Sequence, residues 1–586
     1  MKSKVTVGWL LEHYSKREVM VPMRDGVSLF TALYEPRDGK EHPVILERTP
    51  YPLHPYGKTY ARDLRARLDA FVAAGYIIVL QNVRGTFLSE GTFENIRPYR
   101  PEKSGTETDE ASDAYDTAEW LVRNCRTNGS IGVKGISYPG FYATLAALSG
   151  HPAIKAVSPQ APVTDWFLGD DAHLSGAFQY AMFTFGASFF RLRPRPTIRW
   201  PRPVARPEGA YYDWFLKTGR RGVTELLQGQ VTFWDEMRSH PAYDAWWEAR
   251  NPALQLKNVR PAVMVVGGWY DGEDCYGAFE TYRRLKAQSP RTDTYLVAGP
   301  WYHGAWKKKG YRELGPADFG AGSAEHFLYE IEYPFFACYL EGKGDPGPRI
   351  RILPSAETQP GQATPHRWET PETWPPAGRD MTLYLSDSRR LSSKPGTQSF
   401  CFTSDPRHPV PSHPEPAEDW DRAVHVADQR FAARRPDVLA FTSRPLREPV
   451  NVEGQVRVRL EVMTEAEDAD LFVKLIDRRP DGVQMLVRCG VLPLRFRNGF
   501  DRPQPVRKGE KVVLEWSLND LAHHFQPGHR IMVQIQGSWF PQVAMNPQRF
   551  LEDPSLAGSE DMAPAAVTLL PGSRIILPVT ADWNGI

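Results

Sequence analysis

The sequence predicts an α/β fold followed by an all-β region, and three observations carry that expectation. First, from Ser28 to Ala298, apolar strand-like runs alternate with helix-patterned segments, which implies a mostly parallel sheet with helices on both faces. Second, the alternation is interrupted between about Ala161 and Arg250 by aromatic-rich helical pieces with no sheet-like run among them. Third, from about Arg349 onward helix periodicity nearly vanishes. Short strand-like runs separated by Gly, Pro, Asn and Asp replace it, as in a β-sandwich or jelly roll. At 586 residues the chain needs more than one core. The expected division is 1–160 and 253–348 as two parts of one α/β core, 161–252 as a helical cap between them, and 349–586 as a jelly-roll β-sandwich.

In order along the chain, Val19–Pro22, Ser28–Tyr34 and Pro43–Glu47 read as an antiparallel entry into the sheet. Arg62–Ala74 is helical in pattern and Gly75 stops it. Tyr76–Leu80 is wholly apolar, as a strand buried on both faces should be. Asp113–Asn124 is a further helix, and Ala156–Pro159 a short strand. In the interruption, Gly176–Phe190, Tyr211–Lys217 and Phe233–Ala249 read as helices, joined in part by a Pro/Arg-rich stretch at Arg191–Arg206. Sheet character returns at Pro261–Gly267 and Asp293–Ala298. A cap inserted there covers the C-terminal edge of the sheet, where open α/β sheets bind ligands. In the last region Met381–Leu385, Val452–Val462, Asp470–Ile476, Lys511–Ser517, Arg530–Gln536 and Arg574–Val579 are strand-like.

The stretch Ser130–Phe141 reads as strand, sharp turn and helix, with Ser137 at the turn between Gly135 and Gly140. A serine there is pushed out of the backbone path, and N–H groups of the first helical turn point toward it. This is the nucleophile elbow of an α/β-hydrolase core. The pattern departs from G-x-S-x-G, because Pro139 stands where the second Gly belongs. In that fold the acid and then the histidine follow the serine, each at a strand end. Asp271 in Gly268-Trp269-Tyr270-Asp271 and His303 in Gly299-Pro300-Trp301-Tyr302-His303 meet both conditions. His303 would take the proton of Ser137, and Asp271 would orient the ring and stabilise the imidazolium.

Composition excludes some alternatives. Lys plus Arg number 71 against 70 Asp plus Glu, so nucleic acid and anionic membrane are not expected partners. Met1–Arg17 lacks the apolar core of a signal peptide, and no apolar run approaches the roughly 20 residues of a membrane span. Cys125, Cys275, Cys338, Cys401 and Cys489 are scattered, which points to reduced thiols in a cytoplasmic protein and to neither a metal cluster nor a disulfide framework. His523, His524 and His529 lack metal-site spacing and are read as non-catalytic. No cofactor is implied.

The chain resembles the cocaine-esterase/NonD group of serine hydrolases, related to X-Pro dipeptidyl-peptidases, α-amino-acid ester hydrolases and glutaryl cephalosporin acylases. In the α/β part the resemblance rests on Arg48-Thr49-Pro50-Tyr51, Asn82-Val83-Arg84-Gly85, Ser89-Glu90-Gly91, Gly135–Gly140 and the two motifs bearing Asp271 and His303. In the β part it rests on Asp468–Leu475 and Pro527–Ile531. Asn82 departs from the pattern, since many relatives have Asp there. The resemblance implies an oxyanion hole made of the Tyr51 hydroxyl and the N–H of Tyr138. It also implies an α-ammonium pocket made of Asp171, Glu273 and Asp274. The expected protein is therefore a serine hydrolase that cleaves small esters or amides through an acyl-enzyme, with acyl groups bearing a free α-ammonium favoured. An X-Pro dipeptidyl-peptidase is the alternative, and a catalytically silent ligand-binding protein is the alternative of another class. The expected partner is a small ester, amide or short peptide, with homo-oligomer formation left open.

Overall fold

In the computed structural model, which describes residues 5–191, 193, 195–204, 210–356, 367–415 and 421–580, the apolar runs of the first half assemble into one nine-stranded sheet. Its strands are β1 (Tyr14–Pro22), β2 (Ser28–Pro36), β3 (His42–Thr49), β4 (Ile77–Asn82), β5 (Thr127–Ser137) and β6 (Ile154–Pro162). Two small hairpins stand apart from it, β7 (His173–Leu174) with β8 (Ala177–Phe178), and β11 (Glu313–Leu314) with β12 (Ala317–Asp318). The sheet is completed by β9 (Ala262–Gly268), β10 (Thr294–Gly299) and β13 (Ile350–Ile352), in the order β1-β2-β4-β3-β5-β6-β9-β10-β13. β1, β2 and β4 pair antiparallel; every later neighbour is parallel. The antiparallel entry thus holds for the first two strands, whereas β3 lies between β4 and β5 and runs parallel to both. β4, β9 and β10 are buried along their whole length, as expected of strands covered on both faces.

The helix Glu110–Asn124 opens on a capping box between Asp109 and Ser112. Arg62–Ala74 is not one helix. A 3-10 turn at Arg62–Arg65 and a short helix at Asp69–Ala73 are separated at Ala66 (φ −98°, ψ −86°). Tertiary ion pairs explain the break: Arg67 binds Glu47 on β3, and Asp69 accepts hydrogen bonds from Lys309 (2.8 Å) and Tyr329 (2.9 Å).

The interruption is helical apart from the β7–β8 hairpin, with helices at Ala181–Phe189, Tyr211–Leu227, Thr232–Arg238 and Ala245–Arg250. Residues 192, 194, 205 and 206 of the Pro/Arg-rich stretch lie outside the described residues. Tyr211–Leu227 kinks at Gly219 (φ 63°), where a Cβ would fall 2.6 Å from the carbonyl of Ala557. The cap is thereby seated on the β-rich half.

That half contains β14 (Arg379–Ser386), β15 (Arg390–Ser392), β16 (Phe400–Ser404), β17 (Val438–Thr442), β18 (Val450–Thr464), β19 (Asp470–Arg478), β20 (Gln484–Pro493), β21 (Val512–Phe525), β22 (Arg530–Gln536), β23 (Ala565–Leu569) and β24 (Arg574–Thr580). They pair antiparallel except for one parallel contact between β15 and β17. Among the described residues no helix is long and apolar enough to cross a membrane.

The two halves meet on a continuous seam. β13 pairs with β10, so the α/β sheet runs past the expected limit at residue 348, and Ile352 is bridged in turn to Glu369. Trp269 donates to the carbonyl of Leu353 (2.8 Å) and stacks on Trp374, whose indole N–H donates to Asp520 of β21 (2.8 Å). Truncation after Pro348 would strip this edge strand and uncover Trp269. The fragment is expected to be insoluble or inactive in an expression and activity assay, and a soluble fragment of full activity would contradict the seam's structural role.

Candidate active site

At the end of β5 the chain makes the turn that the sequence predicts. Ser137 has φ 68° and ψ −129°, a conformation that costs a non-glycine residue of order 1–3 kcal/mol. The helix Tyr138–Ala147 begins at once, and Ser137 gives it no side-chain cap. With Pro139 lacking an N–H, the first turn presents the N–H groups of Tyr138 and Gly140. The irregular motif has a geometric reason. A Cβ at Gly135 would lie 2.1 Å from the carbonyl oxygen of Pro139, and one at Gly140 would lie 2.8 Å from that of Gln160. Gly135 is needed for the backbone crossing, whereas Gly140 is needed for the packing of the helix on β6.

Two further loops are fastened backbone to backbone. The N–H of Trp269 donates to Gly299 (2.9 Å) and that of Tyr270 to Trp301 (3.0 Å), while a Cβ at Gly268 would be 2.3 Å from the Trp301 carbonyl. This pairing brings His303 to Asp271: Nδ1 lies 2.9 Å from Oδ2 and 3.1 Å from Oδ1. Asp271 Oδ1 also accepts the N–H groups of Glu273 (2.9 Å) and Asp274 (3.0 Å). Burial opposes the charge of Asp271, but His303 and these N–H donors hold its pKa below the ordinary value. Gly304 packs near Ile136, which brings the histidine loop to the elbow. Among the described residues the Ser137 hydroxyl makes no hydrogen bond to His303, whose Nε2 is instead 3.5 Å from Glu273 Oε2.

The three candidate acids come together around this histidine. The N–H of Asp171, at φ 38°, donates to the carbonyl of Glu273 (2.9 Å), which ties the cap loop to the loop after β9. Neighbouring Asp170 is fully buried and accepts the N–H groups of Thr164, Asp165 and Gly277 at 2.7–2.9 Å. Burial first, then Glu273, pushes the Asp171 carboxyl up to about 7. Burial and the charges of Asp171, Asp170, Asp271 and Glu273 push Asp274 well above the ordinary range. Asp274 is 0% exposed, and neither carboxylate oxygen has a hydrogen-bond partner among the described residues.

Tyr51 belongs to the same cluster. Burial, and then Asp171, Glu273 and Asp274, raises its hydroxyl well above the usual pKa, so it stays a donor. Tyr51 and Tyr138 both pack against Phe189 of the cap, at ring distances of 5.3 and 5.9 Å. Asn82 donates to the carbonyl of Tyr51 (2.7 Å), a job its amide performs and an Asp carboxylate could not. The hydroxyl of Tyr138 is occupied elsewhere, donating to Asn95 (2.6 Å), so only its backbone N–H can serve the site.

Two residues near the site carry no motif and were not legible in sequence. Arg422 Nε lies 3.9 Å from Glu273 Oε1, with its guanidinium over the Tyr302 ring at 5.1 Å. His425 lies against Gly272, where a Cβ would meet its Nε2 at 1.9 Å. Both come from the β-rich half. A second acid–imidazole group lies in and beside the β-rich half: Glu369, Glu453 and His524 each offer an atom within 4.8 Å of the others. His524 Nε2 already pairs with Glu453 (3.0 Å), and burial together with Glu453 raises the Glu369 carboxyl above its ordinary value.

An elbow serine, an acid–histidine pair at later strand ends and a parallel sheet define a serine hydrolase of the α/β-hydrolase type. The sequence relatives agree and narrow the class. The family described as X-Pro dipeptidyl-peptidase (S15 family) matches residues 25–305, and its C-terminal non-catalytic domain matches residues 345–558. Cocaine esterase of Rhodococcus sp. (strain MB1 Bresler) is 30% identical over 560 residues, covering 90% of this chain and 91% of its own. The chain belongs to this family, in which cocaine esterase and the X-Pro dipeptidyl-peptidases are grouped. Among solved structures, an α-amino acid ester hydrolase (32% identity) and an aminopeptidase from the marine sediment archaeon Thaumarchaeota archaeon (31% identity) each superpose with a TM-score of 0.88 over 97% of both chains.

The close crossing at the elbow can be tested without touching a reactive group. Gly135→Ala places a methyl group against the Pro139 carbonyl and must displace the turn. Turnover is expected to fall by at least about tenfold while circular dichroism keeps the native spectrum. A Gly135→Ala enzyme of normal kcat would contradict the steric account.

Proposed function

We propose that the protein hydrolyses esters or amides whose acyl group carries a free α-ammonium, through an acyl-enzyme on Ser137. His303 takes the serine proton and then delivers it to the leaving group. Asp271 holds the ring by Nδ1 and stabilises the imidazolium. The tetrahedral oxyanion is received by the Tyr51 hydroxyl and the Tyr138 N–H, each donor lowering the barrier by roughly 3 kcal/mol. Water, activated by the same histidine, then releases the acid. Asp171, Glu273 and Asp274 take the α-ammonium.

The observation that carries this reading is the carboxylate of Asp274, wholly buried, without a hydrogen-bond partner among the described residues and pressed by the charges of Asp171 and Glu273. Alone such a carboxyl is held in its protonated form, and an ammonium placed beside it would let it ionise as the cation's partner. The solved relatives named as an α-amino acid ester hydrolase and an aminopeptidase support it. X-Pro dipeptidyl-peptidase action is the second reading, favoured by the family match at residues 25–305. A peptide's N-terminal ammonium would use the same acids. The scattered free cysteines fit a cytoplasmic setting.

Ser137→Ala and His303→Ala are each expected to lower kcat by at least about a thousandfold, because the members of such a unit are not additive. A fluorophosphonate probe should label the native enzyme and not Ser137→Ala. Near-normal turnover in either variant would sink the assignment. For specificity, Asp171→Asn combined with Glu273→Gln should raise KM for an α-amino ester at least about tenfold relative to the matched plain ester. An unchanged ratio between the two would leave only a generic esterase.

A further inference from the structure

Each ring nitrogen of His303 has a carboxylate near it. Nδ1 holds Asp271 at 2.9 Å, and Nε2, which must face Ser137 for catalysis, lies 3.5 Å from Glu273. The contact at Nε2 is an ion pair, which favours the charged ring, and an imidazolium cannot accept a proton. Burial works against that charge, but Asp271, then Glu273 and Asp171, outweigh it and raise the pKa of His303 to about 9. The other oxygen of Glu273 faces Arg422, 3.9 Å away on the short helix Arg422–Val426. Glu273 therefore stands between the site's own cation and a cation at its rim.

We propose that Glu273 is exchanged between His303 and the α-ammonium of the substrate, so that an amino substrate frees the general base as it binds, and that Arg422 sets the balance of this exchange. The inference rests on the reading of the site as an α-ammonium pocket. Charge is conserved in the exchange. The ammonium brings one positive charge, His303 gives its Nε2 proton to solvent, and the exposed lone pair then accepts the proton of Ser137. A plain ester brings no cation, so His303 must lose its proton against the full attraction of Glu273. Selectivity then appears in kcat as well as in KM.

Other charged or titratable groups surround this pair, and among the described residues the carboxylate contact at Nε2 is that of Glu273. Asp171 approaches from the cap, and Asp274 is 3.9 Å from Nδ1. Tyr51 faces the same acids from the loop after β3. His425 presses on Gly272 and is kept neutral by burial, its pKa pushed down to about 4. Lys308 donates to the Tyr302 hydroxyl at 3.3 Å, and Arg422 lies over the same ring at 5.1 Å.

The test compares the methyl esters of phenylalanine and 3-phenylpropanoate, which differ only in the ammonium, across the pH range. The acid limb of kcat reports the enzyme–substrate complex. In the native enzyme the limb for the amino ester should lie about one pH unit below that for the plain ester. Glu273→Gln should lower the plain-ester limb by about one unit and erase the difference. Arg422→Gln, a change at a half-exposed rim residue, should move the plain-ester limb the opposite way, upward by a few tenths of a unit. Coincident limbs for the two esters in the native enzyme, or a downward shift in Arg422→Gln, would overturn the exchange. If the native enzyme shows no kcat/KM preference for the amino ester at all, the ammonium pocket itself fails; a clear preference with coincident limbs removes only the exchange. The native comparison and Arg422→Gln decide the matter even if Glu273→Gln does not fold.

Discussion

Four carboxylates, those of Asp171, Asp271, Glu273 and Asp274, converge on one imidazole, and much of the surrounding architecture is what holds like charges together away from bulk water. One histidine cannot neutralise four acids. Asp271 keeps its charge because it has the imidazole and two backbone N–H donors. Asp171 and Asp274 have no comparable donors and are driven toward the protonated form. On the proposed reading of the site, a bound ammonium would take over the neutralising role of these protons.

Holding that cluster demands unusual backbone. Ser137, Ala161 and Asp171 all have positive φ, at 68°, 36° and 38°, and all lie at the C-terminal edge of β5 and β6 or in the cap loop above it. Such conformations persist only where surrounding contacts over-determine them. Here the contacts are specific. Asp170 collects three N–H donors, Asp171 bonds to the Glu273 carbonyl, and the loops bearing Asp271 and His303 are joined to each other through their main chains. Behind the elbow a buried pair, Lys134 and Glu332 at 2.6 Å, is extended through Gln160 to Trp306, three residues past His303. One polar network therefore reaches from the nucleophile strand to the histidine loop. Removing one partner of such a pair typically costs about 3–5 kcal/mol, so the network is a rigid base for the site.

The parts of this arrangement legible in sequence were those fixed by local chemistry. Ser137 was legible because a Gly-flanked serine between a strand and a helix has few other backbone solutions, and the parallel strands were legible because their burial leaves no polar face. Asp271 and His303 followed from chain order at strand ends. Asp171, Glu273 and Asp274 came only through resemblance, since an acid after a turn looks the same whether it caps a helix or faces a substrate. Arg422 and His425 gave no signal, because their meaning lies in contacts with Glu273 and Gly272, roughly 150 residues earlier in the chain. The break at Ala66 was hidden for a related reason. The periodicity of Arg62–Ala74 is helical, and ion pairs to Glu47 and Lys309 override it.

The same long-range contacts give the β-rich half a role that the term non-catalytic conceals. Among the described residues it contributes none of the triad or oxyanion groups, yet it meets the acid loop at several points. Trp374 stacks on Trp269, two residues before Asp271, and is anchored by Asp520, which also takes Arg283 from the helix that follows Asp274 (2.7 Å). His425 fills the space over Gly272, where any side chain would collide with it. Arg422 offers the rim a positive charge opposite Glu273. A loop carrying Asp271, Glu273 and Asp274 within four residues would repel itself apart if only its own backbone held it. Packing a second domain against it holds that loop in a fixed geometry and places the Arg422 cation 3.9 Å from Glu273, where the proposed exchange would feel it.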